Sequence, residues 1–117
     1  MIIGVEGKKN FNNYQVFLHA MGVALSNPIE GSKIEVWSAG PKNINSFTAA
    51  FCNSSENYLR QKGYKISFKR FPQSHVLNNM HEINYFAFFA NPNEKSATSK
   101  LLASAEMSKA EVGIFRY

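Results

Sequence analysis

The stretch Val36-Trp37-Ser38-Ala39-Gly40-Pro41-Lys42-Asn43-Ile44-Asn45-Ser46 passes from an apolar, strand-like run through a small-residue turn into a polar helix start. Backbone amides at such a junction are aimed to hold an anion, because the first N–H groups of a helix have no carbonyl partner within it. The N-terminal segment repeats the grammar: Met1-Ile2-Ile3-Gly4-Val5 leads into Glu6-Gly7-Lys8-Lys9-Asn10 and then a helical pattern. Two strand-to-helix junctions side by side at the carboxyl edge of one parallel sheet form a crevice suited to a small anionic ligand.

Working outward, short apolar runs alternate with helical patterns along the whole chain. Ile2 to Val5 reads as a buried strand. Asn12 or Asn13 then caps a helix carrying Tyr14, Phe17, Leu18, Met21 and Leu25, which Asn27-Pro28 ends. Lys33 to Ser38 is the second strand, and Phe47, Ala50, Phe51, Ser54, Tyr58 and Leu59 mark a helix from about Asn43 to Gln61 with Gly63 as its C-cap. A third strand spans Tyr64 to Lys69, Pro72 closes it, and Ser74 is read as capping a short helix through about Glu82.

Asn84-Tyr85-Phe86-Ala87-Phe88-Phe89 is a continuous aromatic run, the pattern of a central strand covered on both faces. Its rings are read as core rather than as a stacking surface, with Phe86 and Phe88 on one face and Tyr85, Ala87 and Phe89 on the other. After the Asn91-Pro92-Asn93 loop, a helix is expected from Ser96, bearing Leu101, Leu102, Ala105 and Met107, and Glu111 to Arg116 is the last strand. Five strands joined by four long crossovers predict an α/β fold, a single Rossmann-like doubly wound domain over residues 1–117. Its five-stranded parallel sheet has the order 3-2-1-4-5, with helices on both faces.

The chain has 117 residues, enough for one core at 44% hydrophobic content, and its ten Phe, five Tyr and one Trp make that core aromatic-rich. The lone Cys52 allows no internal disulfide and reads as a buried, inert thiol, with a reducing, cytoplasmic compartment expected. Met1 to Glu6 lacks a basic leader and a long apolar segment, so an unprocessed protein without a membrane span is expected. Thirteen Lys and Arg against eight acids give a formal charge of +5, scattered from Lys8 to Arg116. Even the densest stretch, Lys65 to Arg70, alternates like the solvated face of a strand, so nucleic acid is not the favoured partner.

The loops expected to meet at the carboxyl edge are Glu6 to Lys9, Ala39 to Asn43 and Ala90 to Thr98. Gly7 and Gly40 permit close backbone approach, Ser38, Asn43, Asn45, Ser46, Ser96 and Thr98 offer neutral hydrogen bonds, and Lys8 or Lys42 can neutralise a phosphate. Glu6, Glu94 and Glu106 are the carboxylates placed near this edge, and Glu6 is the candidate catalytic or ribose-binding acid. Phe11 and Tyr14 flank the first loop and are read as covering a ligand or packing a second subunit in a homo-oligomer. His19, His75 and His81 match no metal spacing, so neither a metal nor a cofactor is expected.

The order of these segments resembles the SLOG superfamily, and in particular its small YspA-like Rossmann-like branch. The segments are a Gly4-to-Gly7 turn, Phe11-Asn12-Asn13-Tyr14, Ser38-Ala39-Gly40-Pro41-Lys42-Asn43-Ile44-Asn45, Asn78-Asn79-Met80, an aromatic strand and Ala97-Thr98. The resemblance covers nearly the whole chain. It implies a pocket for a nucleotide or nucleotide-derived ligand, with contacts at Gly4, Gly7, Lys8, Ala39, Gly40, Pro41, Lys42, Asn43, Asn45, Asn79 and Thr98. Ala39, Lys42, Asn43 and Asn45 stand where the family has Gly, Arg, Gly and Asp, and the Pro-Gly-Gly-x-Gly-Thr motif of its phosphoribohydrolases is absent. Fold and pocket are thus implied more strongly than hydrolysis.

Three functions remain open at the level of sequence. The first is a binding module for a nucleotide-like signal. The second is an enzyme cutting or transferring a nucleoside or nucleotide N-glycosidic bond through Glu6, which needs a second positioned group. The third is a small phage or mobile-element interaction protein whose pocket has decayed.

Overall fold

Short apolar runs bounded by turns become strands, and the 3.6-periodic segments between them become the crossovers. In a computed structural model the strands are β1 (Ile2–Gly7), β2 (Lys33–Ser38), β3 (Lys65–Arg70), β4 (Tyr85–Ala90) and β5 (Glu111–Arg116). The helices are α1 (Tyr14–Leu25), α2 (Lys42–Gln61), α3 (Gln73–Asn78) and α4 (Lys100–Glu106), and a 3-10 turn at Met80–Glu82 follows α3. The structure describes residues 1–93 and 99–117.

All five strands form one sheet in the order β3-β2-β1-β4-β5, every neighbour pair parallel. The α/β class and the strand order are those expected. The chain walks outward from β1 to β3, then crosses back to lay β4 on the other side of β1. The carboxyl ends of β1 and β4 are therefore the topological switch point. Apolar residues of α1 and α2, among them Phe17, Met21, Ile44 and Phe51, pack with Ile3, Val5, Ile34 and Val36 on one face of the sheet. Val76 of α3 and Leu101, Leu102 and Ala105 of α4 pack with Trp37, Phe86 and Phe88 on the other.

The aromatic run divides as strand alternation requires. Every residue from Tyr85 to Ala90 is buried; Phe86 and Phe88 join the α3/α4 face, while Tyr85, Ala87 and Phe89 join the α1/α2 face. Phe89 stacks on Phe11 at 4.6 Å and on Phe17 at 5.3 Å between ring centres. These rings are core.

Element ends show where local signals were ambiguous. Asn13, rather than Asn12, caps α1, its side chain accepting from the Val16 N–H at 3.1 Å. Gly63 ends α2 with φ +90°, as its lack of a Cβ allows. Ser74 is not a cap: α3 starts one residue earlier, after Pro72, and gives way at Asn79 to the 3-10 turn instead of running unbroken to Glu82. Strand β3 begins at Lys65 rather than Tyr64. Ser99 caps α4, accepting from the Leu102 N–H at 2.9 Å, so the helix starts at Lys100; the expected start at Ser96 lies outside the described residues. Among the described residues no helix is long and apolar enough to cross a membrane.

Candidate functional site

At the end of β2 the chain must turn from strand to helix within three residues, and the Ser38 side chain organises the turn. Ser38 is 1% exposed; its Oγ accepts from the Gly40 N–H at 3.1 Å and donates to Asn45 Oδ1 at 2.7 Å. Gly40 has φ +97°, a conformation other residues adopt only with strain. Pro41 precedes the helix, and no side chain caps it. The first intrahelical bond runs from the Asn45 N–H to the Pro41 carbonyl at 3.1 Å, so the Lys42, Asn43 and Ile44 amides precede the ladder. The positive end of the 20-residue α2 thus faces the edge.

This turn borders two adjoining depressions. One, of about 570 Å³, is lined by residues that include Gly40, Lys42, Asn45, Ser46, Phe68 and Arg70. The other, of about 560 Å³, lies toward β1 and is lined by Lys9, Pro41, Lys42, Asn43 and Ser46. Among the described residues Lys9, Lys42 and Arg70 border them, and no carboxylate does. Asn45 matters here as an amide. With Oδ1 occupied by Ser38, its Nδ2 remains a donor, where a carboxylate would put a negative charge beside any anion.

The β1 loop is bound to the start of α2 rather than lying loosely beside it. Asn43 Nδ2 donates to the Lys8 carbonyl at 3.1 Å and to the Phe11 carbonyl at 2.7 Å. Asn43 is thereby a tether between the two junctions, and its amide group is committed to backbone rather than to a ligand. Phe11 is 1% exposed and belongs to the core, which corrects its reading as a ligand cover; Tyr14 is half-buried against the same cluster.

Three other expected contacts have packing roles. Gly4 lies buried in mid-strand beside Phe86, and a Cβ there would come within 2.8 Å of the Phe86 ring and 2.9 Å of Ile83. Gly7 is at the edge, but a Cβ would meet Ile44 at 2.8 Å and Phe89 at 3.1 Å, so its small size serves the contact between β1 and α2. Asn79 donates to the His75 carbonyl at 2.8 Å at the end of α3 and lines none of the depressions at the carboxyl edge described above. Ser96, Thr98 and Glu94 lie outside the described residues.

Glu6 stands at the switch point on the α4 side. It accepts the Ser99 hydroxyl at 2.5 Å, so the cap of α4 is itself held by β1. Burial pushes the Glu6 carboxyl above the ordinary carboxylate value, while the Ser99 hydrogen bond and the Lys8 ammonium pull it down. Lys8 also sits over the Phe88 ring, 5.8 Å from its centre. Glu106 ends α4 and so lies at the opposite edge, correcting its placement near the site. Among the described residues Glu6 is the only carboxylate at the carboxyl edge, and no group of three His, Cys or Glu residues could hold a metal ion.

The raised Glu6 value has a testable sign. The folded chain binds this proton more tightly than the unfolded chain, so Glu6 costs stability at neutral pH. That cost is relieved as pH falls through the raised value toward the ordinary carboxylate value of 4.5. Glu6→Gln, which keeps an oxygen for Ser99, should melt at or above wild type at pH 7, with the gap closing on acidification. Melting curves from pH 4 to 8 read this directly; a gap that widens toward acid would contradict the burial account.

Arg70 was missed by sequence reasoning, since its place in a Lys- and Arg-rich strand suggested only a solvated face. What gives it a role is β3 lying next to β2, with Arg70 paired in register with Ser38. Ser99 was hidden among neighbouring Ser and Thr residues with equal claims to a cap. Cys52 is buried, its thiol pushed up to about 11 by burial, in keeping with an inert side chain. No protein-family model, curated protein or solved structure matches the chain.

Proposed function

We propose that the chain is a binding module for a nucleotide or nucleotide-derived ligand, holding the phosphate over the start of α2. One observation carries this reading: the Gly40 turn and the leading amides of α2 open onto depressions bordered, among the described residues, by Lys9, Lys42 and Arg70 and by no carboxylate. Amides held by the fold, a helix dipole and flanking cations stabilise phosphate together, and each is already in place before binding. The SLOG-like order of segments in the sequence agrees with it. A homo-oligomer belongs to the same proposal, favoured by Met107 at 90% and Ile114 at 45% exposure near the β5 edge.

The enzyme reading is weaker because it asks Glu6 to act alone. Glycosidic hydrolysis generally needs two carboxyl groups flanking the bond or an equivalent partner, and Glu6 is engaged with Ser99.

Native mass spectrometry of the freshly purified chain tests the proposal, since it reads subunit count and retained small molecules together. The expected result is a mass increment of a nucleotide, lost on denaturation, or its restoration by added nucleotide. If neither occurs, and calorimetry with nucleoside mono-, di- and cyclic phosphates is flat, the interaction-protein reading replaces this one. Release of free base from a bound nucleotide would instead revive the enzyme.

A further inference from the structure

Beside the Gly40 depression, on the β3 side, lies a smaller one of about 300 Å³ lined by Ser38, Ala39, Asn45, Arg70, Phe71 and Pro72. It shares Ala39, Asn45 and Arg70 with its neighbour, so the two are continuous. Both place a ring beside the Asn45 amide and the Arg70 guanidinium, Phe68 in the larger of the two. The smaller one has two rings, Phe71 and Pro72, together with the Asn45 amide and the Arg70 guanidinium, and among the described residues again no carboxylate. Toward β1 the described lining residues include no aromatic ring.

We infer that this depression is a nucleoside subsite, the base lying against Phe71 and Pro72 while the phosphate occupies the adjoining start of α2. The inference rests on the nucleotide reading above and fixes the direction in which the ligand lies. A nucleobase combines an apolar face with a polar rim, and it needs a ring wall beside an amide or guanidinium; a free phosphate or a sugar phosphate has no use for the ring. Among the described residues the β3 side supplies that combination, and the smaller depression does so with Phe71 and Pro72 together where the larger has Phe68 alone.

The wall is set before any ligand arrives. Phe71 is half-buried, with its ring 4.0 Å from the His75 ring in a stacked arrangement and 5.0 Å from Trp37 in an edge-on one. Its position is therefore dictated by packing on Trp37, which belongs to the α3/α4 core, and little ordering cost is left for binding. Arg70 lines both depressions and faces the junction where a phosphate meets its sugar. The smaller volume lies at the bottom of the roughly 300 to 1,000 Å³ range of ligand sites, which suits one nucleoside rather than a dinucleotide.

The test compares ligands with and without a base. Calorimetry with AMP, UMP, ribose 5-phosphate and inorganic phosphate is run on the wild-type chain, Phe71→Leu and Phe71→Tyr, each checked by its melting curve. Phe71→Leu should weaken AMP about tenfold, the scale of one base on one aromatic ring, and leave ribose 5-phosphate unchanged; Phe71→Tyr should keep AMP near wild type. An unchanged AMP affinity in Phe71→Leu puts the base elsewhere while the phosphate reading stands. An equal loss for AMP and ribose 5-phosphate makes Phe71 a structural residue only. Wild-type failure to bind any of the four probes overturns the subsite, and flat titrations with nucleoside di- and cyclic phosphates as well overturn the nucleotide reading. Should Phe71→Leu not fold, nuclear Overhauser contacts in the wild-type complex decide: AMP base protons should reach the Phe71 ring, and their absence alongside a shifted Gly40 amide overturns the subsite.

Discussion

Phe86→Ala should lower the unfolding free energy by about 3 to 5 kcal/mol, the range for deleting a fully buried ring. Phe86 is 0% exposed and sits in β4, an interior strand flanked by β1 and β5, paired with Gly4 of β1 and bounded by Ile83 and the α3/α4 core. Gly4 is what makes room for the ring, since a Cβ at that position would lie 2.8 Å from it. The alanine variant therefore pairs two residues with no bulk at the middle of the sheet, and the flanking strands, held in register by their ladders, cannot close the gap. For a domain with roughly 5 to 15 kcal/mol in total, that loss removes about a fifth of the stability or more. In melting temperature it amounts to roughly 10 to 25 °C, while Phe86→Leu, which keeps most of the volume, should lose far less. Urea titration of both variants checks this. A Phe86→Ala midpoint equal to wild type would mean the ring is not packed as described.

That pairing also shows what could be read from the sequence. The aromatic run Tyr85 to Phe89 identified a strand buried on both faces, because no amphipathic helix or half-exposed strand tolerates that pattern. With four crossovers too long for hairpins, the parallel sheet and its order were expected from the strand-helix alternation and right-handed crossovers. Glycine was harder. Gly4, Gly7 and Gly40 look alike in a sequence, yet Gly4 makes room for Phe86 and Gly7 for Ile44. Gly40 alone needs its positive φ, with space where a Cβ would go. Which demand a glycine meets depends on what lies across from it, and that is a property of register rather than of local sequence.

Asparagine shows the same dependence. Asn43 and Asn45 were both expected at the ligand, but Asn43 spends its amide on the Lys8 and Phe11 carbonyls, while Asn45, anchored by Ser38, turns its donor toward the depression. The difference lies in which neighbouring loop is in reach. Arg70 joins the site only because β3 and β2 are parallel neighbours ending at the same height. Local pattern reveals periodicity and turn chemistry well; convergence of residues about 30 positions apart it reveals only when the topology is already known.

Gly40→Val should weaken phosphate-ligand binding about a hundredfold or more, whereas Lys42→Ala should cost only about two- to fivefold. A Cβ at position 40 would point at the Asn45 Nδ2, 3.8 Å away, and the Lys42 amide, 4.0 Å away. Nothing there clashes with the Cβ itself, so the two γ-methyls of valine would occupy the space before these donors. A phosphate excluded from them loses charge-assisted hydrogen bonds that together are worth roughly 3 kcal/mol or more. Lys42, by contrast, is exposed and contributes one screened charge among several. Strain at φ +97° adds roughly 1 to 3 kcal/mol of destabilisation to the Gly40 variant, so affinity must be measured below its melting transition. Gly40→Ala separates the two effects: it carries the backbone strain but only a Cβ, which has room. It should therefore lose stability comparably to valine yet retain most of the affinity. Titration calorimetry with AMP on all three variants supplies the comparison. If valine and alanine weaken binding alike, the effect is backbone strain and the approach is open on another side; if Lys42→Ala costs more than Gly40→Val, charge rather than the α2 amides holds the ligand.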